Sequence, residues 1–286
     1  MKTLLAIINE SGNLKEFIKY AAQFSNDLNS NLTLLAVQNP QAYSVGTHHA
    51  SGAIAANNQM ILEEAAEKAK EDLQQLSKEA TAELPFDITI DVLSEIGITK
   101  MIVEELVSDN KADMVILNSE PDVSFWEQST ANKDIIFDIN CPVWVIPEKT
   151  EYVSYSKVVY ATNYKNEDVS NMQKLLKLLG TLNPEIVALH ITDTTDFEEK
   201  VKQKGFLETL QKNTGYSKIK VKALKEREND NVAQLINDYS SDIDANLIVL
   251  LKENRNFLDR LFNPGATRKL IKEAKLPVLI FHEKEE

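Results

Sequence analysis

Cysteine is all but missing from this sequence. Cys141 is the only one in 286 residues, so no internal disulfide can form, and one thiol fits a reducing compartment. A lone thiol also has no partner for a resolving step, and Cys141 reads as a small buried apolar residue. Histidine is scarce too, at 4 residues. His48 and His49 are adjacent, so they lack the i, i+4 spacing that puts two imidazoles on one helix face. They read as an exposed loop pair, and no metal is expected. Long apolar runs are absent. The run Leu4-Leu5-Ala6-Ile7-Ile8 is too short for a signal segment or a membrane span, so the expectation is a cytoplasmic protein with no membrane partner. There is no Gly-x-Ser-x-Gly elbow, no Walker loop and no His-Glu-x-x-His helix. No pair of carboxylates carries an acid/base signature, and the expectation is a protein that is not an enzyme.

Basic charge is missing from one half. Residues 1–149 hold 10 Lys+Arg against 23 Asp+Glu, and the rest of the chain holds 21 of each, so the whole net charge of −13 lies in the first half. A surface this acidic repels phosphate backbones, which excludes nucleic acid as its partner. With 43% hydrophobic and 26% charged residues, the composition is that of an ordinary globular protein. The length suggests two domains.

What the sequence does have is an internal repeat. Lys2-Thr3-Leu4-Leu5-Ala6-Ile7-Ile8-Asn9 is matched by Lys157-Val158-Val159-Tyr160-Ala161-Thr162-Asn163. Each is followed by a helical pattern, Leu14 to Phe24 and Val169 to Leu179. Leu32 to Val37 is matched by Glu185 to Ile191, and Ala112 to Leu117 by Ala245 to Leu250. Each half closes on a Pro-led apolar run, Cys141 to Ile146 and Leu276 to Phe281. The halves are 1–149 and 150–286, with 147–156 as the linker. The stretch Asn39 to Gln59 breaks the repeat and reads as a loop leading into a helix.

Continuous apolar runs, rather than alternating ones, mark strands buried on both faces. They alternate with helical stretches at Ile61 to Leu76, Ile98 to Asn110 and Val232 to Tyr239. The fold class is therefore α/β: two tandem open parallel sheets of about five strands, with helices on both faces. Ligands of such sheets bind at the carboxyl ends of the strands. That draws attention to Asn9 to Asn13, Asn118 to Pro121, Asn163 to Asn166 and Lys252 to Asn254. His190, near the end of its strand, is a further candidate for the second-half pocket.

The Ala-Asp-Met-Val-Ile-Leu strand at 112–117, the Cys-Pro-Val strand at 141–143 and their second-half counterparts resemble the universal stress protein family, in two tandem units covering the whole chain. The resemblance implies a Rossmann-like fold of the adenine nucleotide alpha hydrolase type, and a pairing of the two halves as an intramolecular pseudo-dimer. Nucleotide-binding members of that family end the first strand in Asp. They carry Gly-x-x-Gly after the fourth strand and a Gly-Ser or Gly-Thr pair at the start of the last helix. Glycines let backbone approach phosphate, and a helix N-terminus supplies N–H donors. Here the Asp position falls on Asn9 and Asn163. The first-half loop positions fall on Asn118 and Pro121, and Pro121 has no N–H. The helix-opening pair falls on Ser129 and Thr130. In the second half the loop glycines fall on Leu251 and Asn254, and the helix-opening pair on Pro264 and Gly265. Gly265, Ala266, Thr267 and Arg268 still offer donors, a hydroxyl and a cation. Phe125 and Trp126 read as packing where the glycine-rich loop would be.

The expectation is a non-enzymatic universal stress protein in stress response, with a degenerate nucleotide site and no cofactor, working through protein contacts or a small ligand. The alternative is an ATP- or AMP-binding member using the second-half pocket. A nucleotide-dependent transferase or ligase on a similar sheet is disfavoured, since no phosphate loop follows Ile8 or Thr162.

Overall fold

A computed structural model describes residues 2–8, 13–40, 52–119, 135–136, 138–147, 150–227, 232–252 and 276–282. Their contacts divide the chain into two units, and among these residues the division falls between Val143 and Trp144.

The first unit contains β1 (Thr3–Ile8), α1 (Leu14–Asp27), β2 (Asn31–Gln38), α2 (Gly52–Thr81), β3 (Ile90–Ile96), α3 (Thr99–Ser108) and β4 (Met114–Asn118). Its strands are parallel in the order β3-β2-β1-β4. The division falls inside β5 (Val143–Ile146), whose four residues are all buried. The second unit contains β6 (Lys157–Ala161), α4 (Glu167–Leu179), β7 (Glu185–Thr192), α5 (Phe197–Thr214), β8 (Ile219–Lys225), α6 (Val232–Asp242), β9 (Leu247–Lys252) and β10 (Val278–His282). Its parallel order is β8-β7-β6-β9-β10. The apolar runs are the core strands: Leu4 to Ile7 and Val158 to Ala161 are buried end to end. Helices cover them with apolar stripes, such as Phe17, Ile18, Ala21 and Phe24 on α1 and Met172, Leu175 and Leu179 on α4.

The repeat extends to individual hydrogen bonds. The Thr3 amide donates to Asp113 Oδ2 (2.8 Å) and the Lys157 amide to Asn246 Oδ1 (3.1 Å). In return the Asp113 amide donates to the Thr3 carbonyl and the Asn246 amide to the Lys157 carbonyl, both at 2.9 Å. The Val115 amide reaches the Pro142 carbonyl as the Ile248 amide reaches the Pro277 carbonyl, both at 3.0 Å. Asn29 and Asn183 each take a left-handed conformation, with φ 50° in both.

Several elements depart from the reading of the sequence. The third strand of each unit, β3 and β8, was not located there. Both end the strand orders given above and are only partly buried, so their apolar signal is diluted. Helix α5 was not located either, because its apolar residues do not form one stripe: Phe197 is 82% exposed and Val201 54%. Helix α2 starts at Gly52, inside the stretch read as a loop leading into a helix and nine residues before the helical pattern at Ile61. Part of the linker is core, since Tyr155 is buried edge-on against Trp144, ring centres 4.9 Å apart. Cys141 is buried, and that burial pushes its thiol pKa up to about 12. His48, His49, Phe125 and Trp126 lie outside the described residues. No described helix is long and apolar enough to cross a membrane.

Trp144 is completely buried. Trp144→Ala is expected to lower stability by about 3–5 kcal/mol, read as a fall in the urea midpoint. A loss under about 1 kcal/mol would contradict this packing.

Candidate functional site

In the second unit the strand order turns at β6: β7 and β8 lie to one side, β9 and β10 to the other. Beside this turning point, at the carboxyl ends of β6, β7 and β8, lies a cleft of about 330 Å³. Thr162, Asn163, Lys165, His190, Asp193 and Glu226 supply its polar lining, and Ile191, Val232 and Ile236 are among its apolar wall.

The loop from β6 to α4 is held by a carboxylate in the core. Asp168 is 0% exposed. Its Oδ1 accepts the Tyr160 hydroxyl (2.9 Å), and its Oδ2 accepts the Thr162 hydroxyl (2.6 Å) and the Lys165 amide (2.8 Å). Thr162 Oγ1 in turn accepts the Tyr164 amide at 2.9 Å. This side chain-to-backbone turn sets Tyr164 at φ 59°, the left-handed region that β-carbon residues seldom enter.

That backbone angle aims the Tyr164 ring across the ends of β7 and α5. Its centre lies 4.3 Å from that of His190 and 4.8 Å from that of Phe206. The Tyr164 hydroxyl donates to Glu199 Oε1 at 2.9 Å. Burial raises the Tyr164 phenol pKa, and the Glu199 carboxylate raises it further by holding the proton. His190 Nδ1 lies 2.9 Å from the Thr162 carbonyl oxygen. A carbonyl only accepts, so Nδ1 carries the proton and Nε2 is the nitrogen left to meet a ligand.

A second cleft, of about 520 Å³, shares Asn163, His190, Thr192 and Asp193 with the first. It extends past Tyr164 to the start of α5, where Asp196 Oδ1 caps the helix by accepting the Glu199 amide at 3.0 Å. That amide, first among several donors, holds the Asp196 pKa below the ordinary carboxylate value.

Of the residues singled out in the sequence, Asn163 and His190 meet at both clefts. Asn118 ends β4 in the other unit and lines neither. Asn9, Ser129, Thr130, Asn254, Gly265, Ala266, Thr267 and Arg268 lie outside the described residues. The loop Asn163 to Asn166 that drew attention in the sequence contains Tyr164; Thr162, Asp168 and Glu199 were missed. Asp168 left a signal, an acid in the first turn of a helix, where carboxylates are favoured; Glu199 left none, because α5 had not been seen.

The universal stress protein family model matches residues 154–282, the stretch that holds β6 to β10 and both clefts. Residues 154–282 belong to the universal stress protein family. Over almost the whole chain the fold is similar to that of a universal stress protein from Archaeoglobus fulgidus DSM 4304, at 14% identity, 99% of this chain and 97% of that one covered, and a TM-score of 0.67. A functionally unknown protein from Pseudomonas aeruginosa PAO1 is similar at 15% identity, 99% and 92% coverage and a TM-score of 0.59. So is the cytoplasmic domain of a prokaryotic cation chloride cotransporter, at 12% identity, 98% and 94% coverage and a TM-score of 0.53. At these identities the likeness is one of fold. No curated protein matches the sequence.

Two outcomes are expected for this universal stress protein domain. Asp168→Ala strands two hydroxyls and an amide and is expected to cost about 2–4 kcal/mol of stability, measured by denaturant unfolding. The second concerns Tyr164, whose pKa is raised in the fold above its ordinary 10.0. The unfolded chain then releases the phenol proton first, so this contribution is intact below about pH 10 and is lost as pH rises above it. Tyr164→Phe is therefore expected to flatten the alkaline fall in stability; an unchanged fall would count against the buried phenol.

Proposed function

We propose that this chain is a non-enzymatic stress-response protein of the cytoplasm whose second half is its ligand-binding half. The observation that carries the reading is the cleft beside the turning point of the β8-β7-β6-β9-β10 sheet, where ligands of open parallel sheets dock. Its polar groups favour binding over bond-making. The Thr162 hydroxyl, the Tyr164 hydroxyl and His190 Nδ1 are each spent on holding the loop. Asn163 and His190 line the cleft with Lys165, Asp193 and Glu226, a small set of polar groups of the kind that orients a bound molecule. The stress response itself comes from family membership, and a partner protein reading the ligand-bound state is the simplest output.

An adenine nucleotide is the second reading. The position of the cleft at the turning point favours it, since that is where doubly wound sheets take nucleotides. The acids at Asp193 and Glu226 would face the uncharged nucleoside more readily than the phosphates.

Thermal unfolding of the full chain with ATP, ADP or AMP, each with and without magnesium, tests both. A ligand at about 100 times its Kd adds about 2.7 kcal/mol of stability. A shift abolished by Asn163→Ala supports the nucleotide reading. No shift at millimolar nucleotide removes it and leaves the cleft to another class of molecule.

A further inference from the structure

β3 ends the strand order of the first unit and β8 that of the second, and among the described residues no strand pairs with their outer edges. An edge strand offers a row of backbone N–H and C=O groups to another chain, and the charges along it decide what pairs there. The two edges carry opposite signs. On β3 the exposed charges are Asp91 and Glu95, and on β8 they are Lys220, Lys222 and Lys225. Their spacing puts Asp91 with Glu95, and Lys220 with Lys222, on one face of their strands. Lys220 also reaches back to Glu185 on β7 at 2.9 Å. Like charges set opposite each other destabilise a strand pair, and opposite charges stabilise it. A row of lysines alone guards an edge against any pairing with its own kind. With an acidic row on the other edge, β3 against β3 and β8 against β8 are disfavoured, and β3 against β8 is the pairing that the charges support.

Exposed apolar side chains gather at the same two edges. Ile96 ends β3, and Ile98 and Met101 flank the start of α3, which follows it. Met60 and Ile61 stand on α2, which packs on β3. Phe197 and Val201 are one turn apart on α5, which packs on β8. Of the eight large hydrophobic residues that are exposed among the described ones, Val153 alone belongs to neither group. Single exposed hydrophobic residues are ordinary, whereas a gathering of them beside charged groups marks an interaction surface.

We propose that this chain binds a second copy of itself head to tail, the acidic β3 edge of one copy against the basic β8 edge of the next. A foreign partner would need one prepared edge; two edges of complementary charge on the same chain fit a copy of that chain. The contact joins two different surfaces, so each added copy leaves one edge of each sign free until the copies close into a ring. Opposite charges steer the two edges together and set which of them meet, and the apolar side chains beside them supply area to bury.

The test is sedimentation equilibrium of the full chain over a range of concentrations. At low salt the average mass is expected to rise with concentration above that of one chain, and at high salt to fall back toward it. Two pairs of charge reversals at exposed positions locate the contact. Lys222→Glu with Lys225→Glu makes the β8 edge acidic, and Asp91→Lys with Glu95→Lys makes the β3 edge basic. Either pair alone is expected to weaken association roughly tenfold or more. Mixed in equal amounts, the two variants are expected to associate again, because each edge of one then meets an edge of opposite sign on the other. One chain carrying both pairs is expected to associate with itself as the parent does. Lys15→Glu with Lys19→Glu, the same change of charge placed on α1, is expected to leave association unchanged. A parent that stays a single chain at every concentration, association untouched by either pair of reversals, or variants that do not combine on mixing overturns the proposal.

Discussion

Moving a carboxylate from water into a protein core costs several kcal/mol unless donors surround it. Asp168 is that carboxylate here, and the candidate site is built outward from its donors. The Thr162 hydroxyl is fixed by Asp168. Thr162 then fixes the Tyr164 amide through its side chain and His190 through its carbonyl. Tyr164 meets Glu199 on α5. Three elements far apart in sequence, the β6–α4 loop, β7 and the start of α5, are thereby locked into one wall. Hydrogen bonds to a charged acceptor are about twice as strong as neutral ones, which is why a single acid can organise so much.

Among the described residues the first half has the same scaffold without this network. Matching Thr3 to Lys157 by their shared clamps on Asp113 and Asn246 puts Ala6 opposite Tyr160 and Ile8 opposite Thr162. Neither first-half residue has a hydroxyl to offer a buried acid. Among the described residues the two halves share their strand packing and differ at these two positions. Buried polar groups are costly unless they are satisfied, which is what the Asp168 donors do in the second half.

Much of the fold was legible because buried parallel strands need unbroken apolar runs, and those at Leu4, Leu32, Val158, Ile186 and Leu247 stand out in any reading. What escaped was half-exposed. In β8, Lys220, Lys222 and Lys225 interrupt the apolar residues, and in α5 only Glu199, Phe206 and Leu210 are buried. Asn163 and His190 were legible as candidates because loops after parallel strands carry ligands. Glu199 was not, because it meets Tyr164 of that same loop only through the packing of α5, and no local pattern encodes a contact across 35 residues.

The backbone itself separates the two ends of the strands. Among the described residues, five other than glycine have positive φ, and four of them are Asn29, Asn110, Asn183 and Asp244. These sit in turns from a helix into a strand, where Asn and Asp enter the left-handed region at little cost. They close the amino ends together with the Asp113 and Asn246 clamps, in both halves alike. The fifth is Tyr164, at a carboxyl end, where a bulky side chain makes the same angle cost more. Strain of that kind persists only where neighbours over-determine it, and here Thr162, Asp168, His190 and Glu199 do so together. The amino ends are sealed by residues suited to turning. The one position held against its own preference lines the second cleft, where its ring is fixed between β7 and α5.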